Sequence, residues 1–482
     1  PAMPGPYGPG GYGPPGQYRP GPPPRKKSKR WIWITLSSLM AVVLLCVGGA
    51  FALRSWGHQQ TEKRIAAREE RDNPVKRELV DSLLAEHTRA LKDRDLKAFL
   101  APFDPADKKL IADQTRVFHN LTKIPFSEAT FANRSLGEVK PLGAGFTFDL
   151  MLGFLHRIGE YDRAPVERRY FWKVVQDVKD GPLKVTAIDK IPARFKATDD
   201  DFYPTPWDKW DTVHVEKTEH TVLIVDGSLR AEARRHAPAV EAAAVKNMDA
   251  WKAAGVEGEI PSGFVVSLVK GRKELGSLWR IEDEPPTEAG VSIGMRTAEY
   301  DAKLERLDGP LIAGSRVVID LKTSYFTSAH PDGPPIIFRH ELAHSMVATL
   351  VAVDKENPHR SERSMWTVEG FAEYMAYSPK PWTTNHSIPE GRRQLRADRG
   401  EVSLPSNGVW DASSPGRLNY HYLLGHAAMD YIAGKYGEQK LFQFVVGNYR
   451  GKSVETLTQE LFGVSYKEFE RQWAAHVTGR LR

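Results

Sequence analysis

Pro335-Ile336-Ile337-Phe338-Arg339-His340-Glu341-Leu342-Ala343-His344 sets two histidines and a glutamate inside an apolar run, and its reading decides what the rest of the chain is for. Proline is favoured at the first turn of a helix, so the run predicts a helix beginning near Pro335. Residues four apart on a helix leave the same face one above the other, so His340 and His344 can grip one metal ion. Zn2+ takes neutral imidazoles at about 2.0–2.1 Å and, with three protein ligands, keeps a fourth position open for water. Glu341 stands beside them. A carboxylate there can take a proton from a zinc-bound water, whose pKa falls to about 7, and later give it to a leaving amine. Ile336, Ile337, Phe338, Leu342 and Ala343 would bury this helix, where unpaired histidines and a glutamate are costly. The flanks therefore argue against an accidental match on a surface helix.

A third ligand is expected further along, and Trp366-Thr367-Val368-Glu369-Gly370-Phe371-Ala372-Glu373-Tyr374 places two glutamates one helical turn apart. Together the two segments resemble the gluzincins, His-Glu-x-x-His metallopeptidases with a glutamate third ligand on a second helix. The likeness is to the aminopeptidase type with Asn-Glu-Gly-Phe-Ala, where this chain has Val-Glu-Gly-Phe-Ala. The resemblance implies Glu369 as the third zinc ligand and Glu373 as the outer carboxylate that orients a ligand histidine. The opposite assignment, or a purely structural pair of glutamates, stays open. It also implies a distant tyrosine that stabilises the oxyanion of a tetrahedral intermediate. Tyr422-x-x-Gly425, followed by Tyr431-Ile432 and Lys435-Tyr436-Gly437, looks like the corresponding helix of the peptidase MA-like members, which selects Tyr422 with Tyr420 in reserve. Each tyrosine alone is more often a packing residue, and His421 and His426 read as ordinary helix residues. The resemblance covers residues 205–482 and implies that the strand Arg316–Leu321 is the sheet edge against which a peptide substrate is laid. A Gly-x-Met-Glu-Asn exopeptidase motif is lacking, so endo- and exopeptidase action both stay open.

The front of the chain reads differently. Its 482 residues, 41% hydrophobic, are enough for more than one core. Residues 1–30 form a Pro/Gly-rich tail ending in the basic run Arg25-Lys26-Lys27-Ser28-Lys29-Arg30, a composition with little to bury. Residues 31–53, Trp31 to Leu53, carry no charge and as a helix would reach roughly 34 Å, enough to cross a hydrocarbon core of about 30 Å. The positive-inside rule then places the tail in the cytoplasm and the remainder outside a plasma membrane. A buried helix or a cleaved signal peptide is the rival reading. Residues 54–71 are charged and suit a stalk. The basic run accounts for most of the net charge of +6, which argues against a nucleic-acid partner. The single cysteine, Cys46, lies in the apolar stretch, so no disulfide is expected in the rest. A proline-rich tail, one span and no disulfides suit a bacterial, Gram-positive surface protein.

Residues 72–196 predict helices followed by strands, with a helix opening at Asn73-Pro74, another over Lys108–Leu121, and strands at Ala144–Leu152, Arg168–Val178 and Leu183–Ile191. That order resembles the nuclear-transport-factor-like (SnoaL-like) cone fold, which implies a ligand-binding cone or a packing domain. Beyond it, Thr212–Val225 reads as strands, Ala231–Ala254 as a long helix, and Gly263–Val269 and Gly290–Gly294 as further strands. The expected fold is therefore α+β: a membrane span, a small cone-like α+β domain, then a gluzincin-type catalytic domain with a mixed sheet, the His-Glu-x-x-His helix and a helical C-terminal part. The expected function is an extracellular, single-pass zinc metallopeptidase acting on peptide or protein. Its rivals are a zinc hydrolase of another substrate and a binding or assembly protein whose gluzincin-like domain is inactive. The oligomeric state is not readable.

Overall fold

Aspartate, serine or proline starts many of the described helices, and runs of β-branched and aromatic residues build two five-stranded sheets. The computed structural model describes residues 74–190, 204–279, 287–298, 312–327, 333–351, 363–410 and 413–482, all of which belong to one unit, Pro74–Arg482.

The front part opens with α1 (Arg77–Lys92), α2 (Leu96–Leu100) and α3 (Lys108–Leu121). Asp95 and Asp107 cap the second and third of these, accepting from Ala98 N at 3.0 Å and Leu110 N at 2.9 Å. An antiparallel sheet follows: β1 (Phe126–Leu136), β2 (Lys140–Leu142), β3 (Gly145–Ile158), β4 (Val166–Gln176) and β5 (Leu183–Asp189), in the order β1-β3-β4-β5 with β2 on β3. Phe131, Leu150, Leu152, Phe154 and Trp172 from the sheet meet Val80, Leu84, Phe99 and Phe118 from the helices. His87 is stacked on Phe99 at 4.0 Å, and burial lowers its pKa to about 3, so it stays neutral among the aromatic rings. Side chains from both layers form this core, and an open groove remains between α1 and β1, lined by Arg77, Asp81, Thr88 and Asn133 among others.

The second sheet takes shape from β6 (Val213–Lys217), β7 (Thr221–Asp226), β8 (Phe264–Val269), β9 (Gly290–Arg296) and β10 (Ile312–Asp320), in the order β6-β7-β8-β10-β9. The short helix α4 (Pro206–Lys209) precedes β6, and α5 (Arg230–Ala254) and α6 (Arg272–Trp279) lie between the strands in sequence. β8 runs parallel to β7 and β10, whereas β6 and β9 are antiparallel to their neighbours. The three inner strands are buried at almost every position, as parallel strands covered on both faces must be. Val222, Ile224, Val265, Val269 and Val318 join the core of the front part. Their alternates Leu223, Val225, Phe264, Val266, Leu268, Val317 and Ile319 pack on the helical side. The sheet is therefore the middle layer of the molecule. A buried bidentate pair pins the layers together: Arg316 Nη1 and Nη2 donate to Asp162 Oδ1 and Oδ2, both at 2.7 Å.

The helical layer continues with α7 (Pro334–Val347), α8 (Met365–Tyr377), α9 (Ile388–Ala397), α10 (Pro415–Tyr436), α11 (Glu438–Tyr449), α12 (Val454–Leu457) and α13 (Tyr466–Leu481). Where α8 crosses α10 the two backbones touch. A Cβ on Gly370 would lie 2.5 Å from the Gly425 carbonyl oxygen, and one on Gly425 would lie 2.9 Å from that of Trp366.

Three expectations are corrected. Among the described residues no helix is long and apolar enough to cross a membrane. The longest, α5 and α10, carry charges along their length and bury their apolar faces in the protein core. The described fold is α+β with two sheets, without the leading span, and the expected single-pass, extracellular placement at a plasma membrane goes with it. The stretch 31–53 on which both rested, like the tail and stalk, lies outside the described residues. The third correction concerns the sheet edge: the strand expected there, Arg316–Leu321, belongs to β10, which is enclosed between β8 and β9 and buried throughout. Among the described residues β9 is the strand at that end of the sheet, with β6 at the other.

Candidate metal centre

Gly333, at a φ of +64°, turns the chain into Pro334 and the start of α7. This helix is apolar nearly all round and is buried accordingly. Arg339 fixes its angle to the neighbouring helices. Its Nη1 donates to the carbonyl oxygens of Ala376, at 3.2 Å, and Ser378 at the end of α8, and its Nε donates to Asn247 Oδ1 of α5 at 3.2 Å. Burial lowers the guanidinium to about 10, so it stays charged. With α7 and α8 locked side by side, the faces carrying His340, His344, Glu369 and Glu373 meet.

Three donor atoms then converge. His340 Nε2 and His344 Nε2 lie 3.1 Å apart, and Glu369 Oε2 lies 3.4 Å from the first and 3.2 Å from the second. Around a tetrahedral ion with bonds of about 2.0–2.1 Å, ligand atoms sit roughly 3.3 Å from one another. The triangle has that size, and two imidazoles with one carboxylate suit Zn2+. Glu373 stands behind them: its Oε1 is 3.1 Å from His340 Nδ1, and its Oε2 accepts from Asn385 Nδ2 at 2.9 Å. A carboxylate on Nδ1 leaves the Nε2 lone pair facing the triangle. Of the two glutamates, Glu369 is the one in the triangle and Glu373 the one outside it.

In the metal-free protein these groups share protons. Burial works against charge on His340, but its bonds to Glu369 and Glu373 outweigh that and raise it well above the ordinary histidine range. Burial likewise pushes Glu369 up, and the charge and hydrogen bonds of His344 and His340 override it, holding the carboxyl below the usual range. A metal ion entering here displaces those protons.

Glu341 points from the same helix toward the start of β9. A Cβ at Gly290 would come within 2.8 Å of Glu341 Cγ and 2.9 Å of Oε1, so only glycine leaves the carboxylate its place. Burial raises the Glu341 pKa, which makes it a stronger base once ionised. Tyr422, on α10, has its ring 6.0 Å from that of His340 and packs edge-on against Trp410 at 5.3 Å. Burial, followed by the fields of Glu369, Glu341 and Glu373, raises its phenol well above the ordinary range, so it remains a donor. Tyr420 belongs elsewhere: its ring lies 5.7 Å from the Arg417 guanidinium, and Asp398 and Arg417 are its charged neighbours.

Sequence reasoning missed Gly290, Tyr325 and Asn385. Tyr325 lies in the turn Ser324–Phe326 after β10, where burial and then the Glu373 and Glu341 carboxylates raise its phenol. None of these residues lies on a periodic face of the metal helices, so no spacing could have pointed to them. Neither a family model nor a curated protein matches the chain, and the site therefore rests on its own geometry.

Proposed function

We propose that the chain is a zinc-dependent peptidase of gluzincin type, with His340, His344 and Glu369 as ligands and Glu341 as general base. The donor triangle of 3.1, 3.4 and 3.2 Å, with a buried carboxylate next to it in sequence, carries this reading. Zinc held there supplies Lewis acidity that polarises a carbonyl and acidifies water to a pKa of about 7. Glu341 takes the proton of the attacking water and delivers it to the departing amine nitrogen. The protonated Tyr422 donates a hydrogen bond to the oxygen on which negative charge develops. The strand β9 starts against Glu341, and among the described residues only β10 is paired along it in the sheet, so its outer side is where an extended peptide would add as a strand. That support favours peptide substrates over small esters or amides.

The test is zinc content and peptide-library hydrolysis of the full chain beside Glu341→Gln and His344→Ala. One zinc per chain, lost in His344→Ala, and hydrolysis abolished in Glu341→Gln with zinc retained, is the expected result. A wild-type protein that takes up no zinc would overturn the reading.

A further inference from the structure

Behind the groups that face the triangle, one amide joins α8 to α10. Asn385 follows the turn Trp382–Thr384 and is 3% exposed. Its Oδ1 accepts from Ser387 N at 2.9 Å, which fixes the amide so that Nδ2 points inward. One Nδ2 hydrogen goes to Glu373 Oε2 at 2.9 Å, and the other faces Nδ1 of His426 at 3.3 Å. His426 lies on α10 and is fully buried, with the Tyr377 ring 5.3 Å from its own. Because Nδ1 receives the Asn385 hydrogen, the ring proton belongs on Nε2, which has no hydrogen-bond partner among the described residues. A buried donor left unpaired is costly, so packing alone does not favour a histidine here. What the ring offers its surroundings is the Nδ1 acceptor.

We propose that Asn385 and His426 are positioning residues of the metal centre: through Glu373 they hold the His340 imidazole with Nδ1 on the carboxylate and Nε2 turned to His344 and Glu369. With Oε2 tied to Asn385, the Glu373 carboxylate cannot rotate away from His340, and with its second hydrogen taken by His426, Asn385 cannot swing to another acceptor. The role rests on the zinc reading above.

The test compares Asn385→Leu, His426→Leu and His426→Asn in the full chain. The last keeps a carboxamide oxygen close to where Nδ1 accepts; the leucines keep bulk without the polar atom. Zn2+ affinity is measured by competition with a chromophoric chelator, alongside thermal unfolding of the metal-free proteins. The two leucine variants are expected to bind zinc about 10- to 100-fold more weakly, with His426→Asn recovering most of the loss. Should Asn385→Leu not fold, Asn385→Asp keeps shape and the Oδ1 acceptor but lacks the donated hydrogen, and the same weakening is expected. Unchanged affinity in the leucine variants, or equal losses in His426→Asn and His426→Leu that follow their unfolding temperatures, would overturn the positioning role. If the wild type itself takes up no zinc, it is the metal reading that fails.

Discussion

Among the described residues two groups of histidine and glutamate bring their donor atoms within 4.8 Å, and they differ in how far those atoms are already engaged. His340, His344 and Glu369 come from two buried helices, and among the described residues their donor atoms face one another. Glu219, His220 and Glu241 gather at the β6–β7 turn. There Glu241 accepts from His220 N at 3.0 Å, from His220 Nδ1 at 2.6 Å and from Thr218 Oγ1 at 2.5 Å, which ties the turn to α5. Those bonds outweigh the burial that would raise the Glu241 carboxyl and lower its pKa instead. Proximity of ligand types is shared; what differs is whether the lone pairs are already engaged. A saturated carboxylate is a structural clasp, whereas a preformed triangle held by rigid helices is a place for an ion.

The largest contrast should appear when one glutamate is removed from each group. Glu369→Ala should lower zinc affinity by more than the roughly 100-fold expected for losing an outer partner, whereas Glu241→Ala should leave it unchanged and cost about 1–2 kcal/mol of stability. Chelator competition and thermal unfolding read the two effects, and loss of zinc in Glu241→Ala would break the distinction. A smaller effect is expected at Gly290, where a methyl group would collide with the Glu341 side chain. Gly290→Ala should retain zinc and lose about 100-fold in turnover, since an ångström of displacement at a reacting group has that cost. Full activity in that variant would remove Glu341 from the role of base.

The smallest effect is in pH. His340 has a raised pKa in the folded metal-free protein, so its contribution to stability is present below the unfolded value of about 6.5 and fades as pH rises through the folded one. Glu369 is lowered, so its contribution is present above about 4.3 and is lost as pH falls through its folded value. The metal-free protein should therefore be most stable in mild acid and lose stability toward alkaline pH, while zinc affinity rises over the same range because protons no longer compete. Unfolding temperatures that rise in parallel with zinc affinity would show that the triangle does not store protons.

Much of this was legible where the signal is local. The helix expected over Lys108–Leu121 has those limits, because Asp107 caps it and its apolar residues recur on one face. His340 and His344 fall together for the same reason: four residues of helix fix their relation before any tertiary contact forms. Strand order is not local. β9 and β10 are consecutive in sequence, and nothing in either says which one the sheet encloses, so the edge was placed one strand too far in. β1 carries little signal because its register shifts at two places and only Ala129 and Phe131 of its eleven residues are buried. Gly290 and Asn385 reach the site from loops and strand ends, through contacts that only the assembled fold creates.

The touching backbones of Gly370 and Gly425 bear on how such a site could change over generations. Glu369 is the residue before one glycine, and Tyr422 lies one turn before the other, so the gap between carboxylate and phenol is gauged by a contact with no side chains in it. A contact of that kind has no finer setting. The smallest side chain at either position would have to push the helices apart by a substantial part of an atomic diameter, and no smaller substitution exists. The spacing of these two groups can therefore drift only in jumps, while the apolar residues around them remain free to exchange volume in small increments.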